Sequence, residues 1–185
     1  MQKTLPRHMS LANSRLLKVA LAVCILTVSA KVTVPFFPVP MTMQVAAVLL
    51  IGGIGGLQLG AVSMLAYLMA GAAGLPVFAG TPEKGVGLAY MAGPTGGYLF
   101  GFLIAAALVG WAVDRFGIKA VWFAMPLGLA AIYGAGLVWL AQFVPADKLL
   151  AFGLTPFLLG DLVKVALAAV LVAYAPAGLR RWVRN

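Results

Sequence analysis

The sequence predicts an all-α integral membrane protein, folded as a compact bundle of six transmembrane helices. Three observations carry that prediction. The 185 residues are 63% hydrophobic and only 9% charged, where a soluble domain carries about 25% charged residues. Several apolar runs reach the ~17–25 residues that a helix needs to cross a bilayer. Those runs do not alternate in polarity over segments of about ten residues, as the strands of a membrane barrel would.

Residues 1–14 read as a polar, basic N-terminal tail on the cytoplasmic side. The first span runs over about Leu16–Val34, after the basic Arg15 and with Lys18 near its start. It resembles a signal peptide in its charge pattern, but no small-residue cleavage site leads into a polar mature domain, so it reads as a retained helix. PFFPVP at 35–40 follows; its prolines remove backbone donors and block helix, which makes it an extended turn at the membrane surface. Span two covers about 42–51 and ends on the glycine cluster GGIGG at 52–56; span three covers about 57–73. Residues 74–92 form the longest segment expected to be non-helical. Their apolar content predicts that they fold back over the bundle. Span four opens with GPTGGY at 93–98 and reaches about Val113, span five covers about Ala120–Phe143, and span six about Phe157–Ala175. The transmembrane domain is thus 15–177, and 178–185 is a basic cytoplasmic tail in which Trp182 reads as an interfacial anchor.

Six spans put both termini on one side. With that side cytoplasmic, nine of the thirteen basic residues lie in inner segments, three (Lys31, Lys84 and Lys148) in outer ones, and Lys164 within the membrane. This bias gives an N-in, C-in orientation. The same placement at the ends of apolar runs explains the net charge of +9 without nucleic acid, since the basic residues are not interleaved with exposed aromatics. The single cysteine, Cys24, excludes an intrachain disulfide, and the single histidine, His8, lies in the polar tail. No metal-ligand spacing, nucleophile elbow or paired carboxylates are present, so no catalytic residue, metal or cofactor is expected and the chain does not read as an enzyme.

Small residues recur four apart at Gly52/Gly56, Gly56/Gly60, Gly97/Gly101 and Ala20/Cys24. Such pairs let helix backbones approach, either inside the bundle or against a partner helix.

FLLGDLVK at 157–164 places Asp161 and Lys164 inside an apolar run. Three residues apart, they share a helix face. A charge near the centre of a span costs roughly 2.5–3.5 kcal/mol, which is offset when it faces a cavity, an opposite charge or a ligand. Three roles fit: a self-satisfied ion pair, a proton relay, or a ligand site in the outer half of the bundle. A relay usually uses more than one carboxylate, and Asp161 is alone here. A ligand with an acid at one end and a urea or amide at another suits the pair. By topology Thr42 and Gln44, Phe78 and Tyr90, and Thr95 and Tyr98 lie at the same outer end. Aromatics with a few polar groups make a small-molecule pocket, and the GPTGGY helix start offers N–H groups to an anion. Packing is the alternative for each aromatic, and helix capping for Thr42 and Gln44.

VPFFPVPMTMQ (34–44), AGLPVFAG (73–80), GPTGGYLFGF (93–102) and FLLGDLVK (157–164), in this order, resemble the BioY family. Its members are the biotin-specific components of energy-coupling-factor (ECF) transporters of prokaryotes. The resemblance implies a six-helix bundle whose loops after spans one and three cap an outward-facing pocket. It implies high-affinity biotin capture in the cytoplasmic membrane, with Asp161 and Lys164 as ligand-binding residues and Phe78, Ala79, Gly80 and Tyr90 contributed by the loop. It also implies partners: a transmembrane coupling protein and two ATPases, docked through small residues of the first span, here Ala20, Ala22 and Cys24. One departure is TPEKGVGLAY at 81–90, where the family often has a glycine-rich run. The alternative function is a self-sufficient ion- or proton-coupled transporter of a small carboxylate or vitamin. The sequence leaves oligomeric state open, homo-oligomers included.

Overall fold

The computed structural model describes residues 7–184, with side chains from residue 15 onward. The first six residues of the expected N-terminal tail lie outside this range. From Arg7 the backbone is already helical: α1 spans Arg7–Lys31 and so includes the rest of that stretch. A two-residue strand, β1 (Thr33–Val34), pairs antiparallel with β2 (Met41–Thr42). The proline-rich turn expected at 35–40 is therefore closed at its base by a short ribbon.

Helix α2 (Gln44–Ala72) contains one non-helical residue, Gly56, at φ 74° and ψ −173°. A side chain rarely adopts that φ, and glycine does so freely. The chain reverses there. A Cβ placed on Gly60 would lie 3.1 Å from the Cα of Gly52, although eight residues of one straight helix rise about 12 Å. Residues 44–55 and 57–72 thus pack on each other as two rods. The break expected over the whole GGIGG cluster falls on its last glycine alone. Asp114 sits in the bend, where its Oδ2 accepts the Leu57 N–H at 2.8 Å. It caps the orphan donors of the second rod from a neighbouring helix.

The 74–92 segment is not free of helix: α3 (Gly87–Met91) interrupts it. The longer helices that follow are α4 (Gly96–Phe116) and α5 (Val121–Leu140). A short α6 (Leu149–Gly153) leads directly into α7 (Thr155–Ala173), whose Pro156 stands in the first turn, where a missing N–H costs nothing. The expected C-terminal tail is folded as α8 (Ala177–Arg184).

Helix α4 packs between α2 and α5, α7 against α2 and α5, and α1 against α2. Close approach explains most of the small-residue pairs: Gly52 and Gly60 both face the Ala106 carbonyl of α4, and Gly101 faces the backbone of Ile132 on α5. Among the described residues, four stretches are long and apolar enough to cross a membrane: Gln44–Ala72, Gly96–Phe116, Ile118–Leu140 and Ala146–Ala173. Around the buried core the outer helix faces remain apolar, with Val138, Leu159 and Leu167 exposed. Such a surface suits lipid rather than water.

Candidate ligand-binding site

Two polar knots mark opposite ends of the bundle. At one end Arg184 of α8 pairs with Asp114 of α4 at 3.2 Å and donates to the Ile54 carbonyl at 3.1 Å. The candidate site lies at the other end, where the ribbon, the 74–92 segment and the start of α7 meet.

Asp161 and Lys164 occupy one face of α7, and both are buried. Lys164 Nζ donates to Asp161 Oδ1 at 2.7 Å and to the Thr42 carbonyl of β2 at 2.8 Å. The second carboxylate oxygen, Oδ2, accepts the Tyr133 hydroxyl of α5 at 2.7 Å. Two donors, one from α7 and one from α5, thus fix the carboxylate. Charge-assisted bonds of this kind are the stronger ones, and together they offset the cost of burying the charge.

Asp161 faces a cavity of about 40 Å³, shared with Gln44, Ala79, Thr95, Tyr98 and Tyr133 and floored by Val39–Thr42. That is room for a water or two. Gln44 is fixed by a relay. The Tyr67 hydroxyl donates to the Val77 carbonyl at 3.0 Å, so it can only accept from Gln44 Nε2, at 2.9 Å. This settles the amide orientation and leaves Oε1 as an acceptor without a partner among the described residues. Thr42 does serve the start of α2, its Oγ1 accepting the Gln44 N–H at 3.2 Å. Thr95 stands at the N-cap of α4 but makes no side-chain cap. Tyr98 spends its hydroxyl on the Gly153 carbonyl at 2.7 Å and offers the cavity its ring.

Other expected site residues stand one layer back. Lys164 lies behind Asp161, its ammonium committed to Asp161 and Thr42. Phe78 is fully buried; it stacks on Tyr90 at 5.0 Å between ring centres and meets Tyr67 edge-on at 5.4 Å. Tyr90 is thereby a packing partner of the loop, and burial raises its phenol above the ordinary value of 10.0. Gly80, at φ 71°, makes the turn that follows Ala79. The same loop is latched from α1: Lys31 Nζ donates to the carbonyls of Phe78 and Thr81 and to Thr81 Oγ1, each at 2.9 Å.

Sequence reasoning missed Tyr133 and Lys31. Tyr133 carries no signal beyond its type, because its meeting with Asp161 depends on the rotation of α5 against α7. Lys31 was counted only for topology. The docking residues also need correction. Ala20 and Cys24 are exposed on α1, but Ala22 is 5% exposed and faces the bundle. Residues two apart on a helix are ~200° apart, so the three cannot share a face.

The sequence and the fold have counterparts among known proteins. The family model described as "BioY family" matches residues 2–181. A protein of Pyrococcus horikoshii called a probable biotin transporter BioY is 40% identical, over 83% of this chain and 90% of its own length. The biotin transporter BioY of Thermotoga maritima is 36% identical, over 85% of this chain and 92% of its own. The crystal structure of an S-component for biotin from an ECF-type ABC transporter superposes with a TM-score of 0.76 at 24% identity, covering 92% of this chain and 93% of that one. It shares this fold. With a family match that leaves out only the first residue and the last few, and relatives matched over nearly their whole length, the chain belongs to the BioY family, a family of multi-pass membrane transporters.

Proposed function

We propose that this chain captures biotin at the Asp161 cavity and serves as the substrate-specific component of an ECF-type transporter in the cytoplasmic membrane. The observation that carries the reading is a buried carboxylate, held by Tyr133 and Lys164, that faces a cavity beside the unpaired Oε1 of Gln44. Two acceptors on one wall suit the two N–H donors of a ureido ring. The full-length relatives named as biotin transporters support the ligand. With Lys164 behind Asp161, the ureido end meets the carboxylate and the ligand's own acid points away from it, toward the capping segments. Tyr98, Phe102 and Ile132 would cover the thioether ring.

Because the present cavity admits only a water or two, the ligand enters when the ribbon and the 78–81 turn withdraw. The two rods of α2 raise the four long apolar stretches to five, and α1 makes the sixth span. The basic end, carrying Arg15, Lys18, Arg115, Lys119 and α8, is the cytoplasmic one, which gives N-in, C-in. ATP-driven uptake would come from a coupling protein and two ATPases docked against the exposed Ala20 and Cys24.

Titration of the detergent-purified protein with biotin by calorimetry tests the ligand. The reading expects saturable binding, and a well-folded protein that binds no biotin contradicts it. Uptake tests the partners: it should stop when the ATPases are inactivated. Uptake without ATPases and abolished by an uncoupler would identify an ion-coupled transporter instead.

A further inference from the structure

A second site lies at the opposite end of the molecule. Lys18 of α1 is 7% exposed yet has no acidic partner and no hydrogen bond among the described residues. Its ammonium lies 5.4 Å from the ring centre of Trp182 on α8, a cation–π contact that offsets part of its desolvation. The chain's acidic residues number four. Asp114, the one at this end, is taken up by Arg184 and the Leu57 N–H.

Lys18 lines two adjoining cavities. The first, about 200 Å³, is a polar mouth that includes Arg15, Gln58 and Arg184. The second, about 480 Å³, is an almost wholly apolar groove between α1, the first rod of α2 and α8, with Leu21, Ile25, Leu50 and Trp182 on its walls. The groove extends from Lys18 to Ser29, a rise of about 16 Å along α1. One leaflet of the hydrocarbon core is about 15 Å deep.

We infer that an anionic phospholipid occupies these two cavities, its phosphate against Lys18 and Arg15 and one acyl chain lying along the α1–α2 groove beneath Trp182. Charge complementarity selects this occupant. A largely buried lysine that reaches a basic mouth with Arg15 and Arg184, with no acidic partner among the described residues, attracts an anion, and the continuous apolar groove that starts at the same lysine accommodates a chain attached to it. A neutral partner helix would fill the groove and leave Lys18 uncompensated. A free phosphate would satisfy Lys18 and leave the groove empty.

The test is native mass spectrometry of the detergent-purified protein mixed with phosphatidylglycerol, phosphatidylcholine or inorganic phosphate. Wild type should hold phosphatidylglycerol about ten-fold or more tighter than phosphatidylcholine. Lys18→Met should abolish the preference while biotin titration stays unchanged, and Arg180→Gln with Arg181→Gln should keep it. Equal retention of both lipids, an unchanged preference in Lys18→Met, or phosphate held as well as the lipid would overturn the inference. A readout independent of that variant uses phosphatidylglycerol brominated on its acyl chains. It should quench wild-type tryptophan fluorescence more than the brominated phosphatidylcholine does, and the difference should vanish in Trp182→Phe. No difference between the two lipids in wild type would also overturn it.

Discussion

Asp161 illustrates how a single buried charge is accommodated in an apolar helix. Its carboxylate would be costly in an apolar helix, and two donors, the Lys164 ammonium and the Tyr133 hydroxyl, hold it oriented at the cavity wall. The odd chemistry of a charged pair in an apolar run made Asp161 and Lys164 legible from the sequence. Tyr133 was not, because a tyrosine within span five reads as packing until the helices are set against each other. Tyr133→Phe should therefore cost about 1–3 kcal/mol of stability, measured as a lowered thermal-unfolding midpoint in detergent. It should also weaken biotin binding, since the carboxylate is no longer held in one orientation. A variant as stable as wild type would mean that the Tyr133 bond contributes nothing.

At the scale of elements, the capping loop is held by contacts that local sequence does not advertise. Phe78 is wedged under the loop between Tyr67 and Tyr90, and Lys31 ties the 78–81 turn to the end of α1. Lys31→Met removes a donor that serves three oxygen acceptors. Amide hydrogen exchange over 78–85 should rise, and biotin should leave faster in a stopped-flow chase. Unchanged exchange would show that the aromatic stack alone holds the turn. The α2 reversal is a second such element. The glycine cluster predicted a break, but its single-residue position at Gly56 follows from the fit of Asp114 against the bend. Gly56→Ala places a Cβ at φ 74° and against the Asp114 carboxylate, so stability should fall by at least about 1 kcal/mol. A thermal midpoint equal to wild type would contradict that account of the turn.

The whole molecule is a bundle with two differentiated ends: a capped, aromatic-lined cavity at one and a basic, arginine-knotted face at the other. The apolar runs and the positive charge bias made that polarity legible. The folding of the last residues into α8, which closes the basic end through Arg184 and Trp182, was not, because a short stretch with three arginines reads as a tail. Between the ends, α1 exposes Ala20 and Cys24. If that face docks the coupling protein, Ala20→Leu should leave biotin affinity intact and lower uptake several-fold; normal uptake in the variant would remove α1 from the docking surface. The central claim, that Asp161 is the biotin contact, is tested most directly by calorimetric titration of the purified protein beside its Asp161→Asn variant. The account predicts tight binding by wild type and a loss of roughly ten- to hundred-fold or more in the variant, the worth of a charged hydrogen bond. Equal affinity in a well-folded variant would return the pair to a structural role and contradict the account.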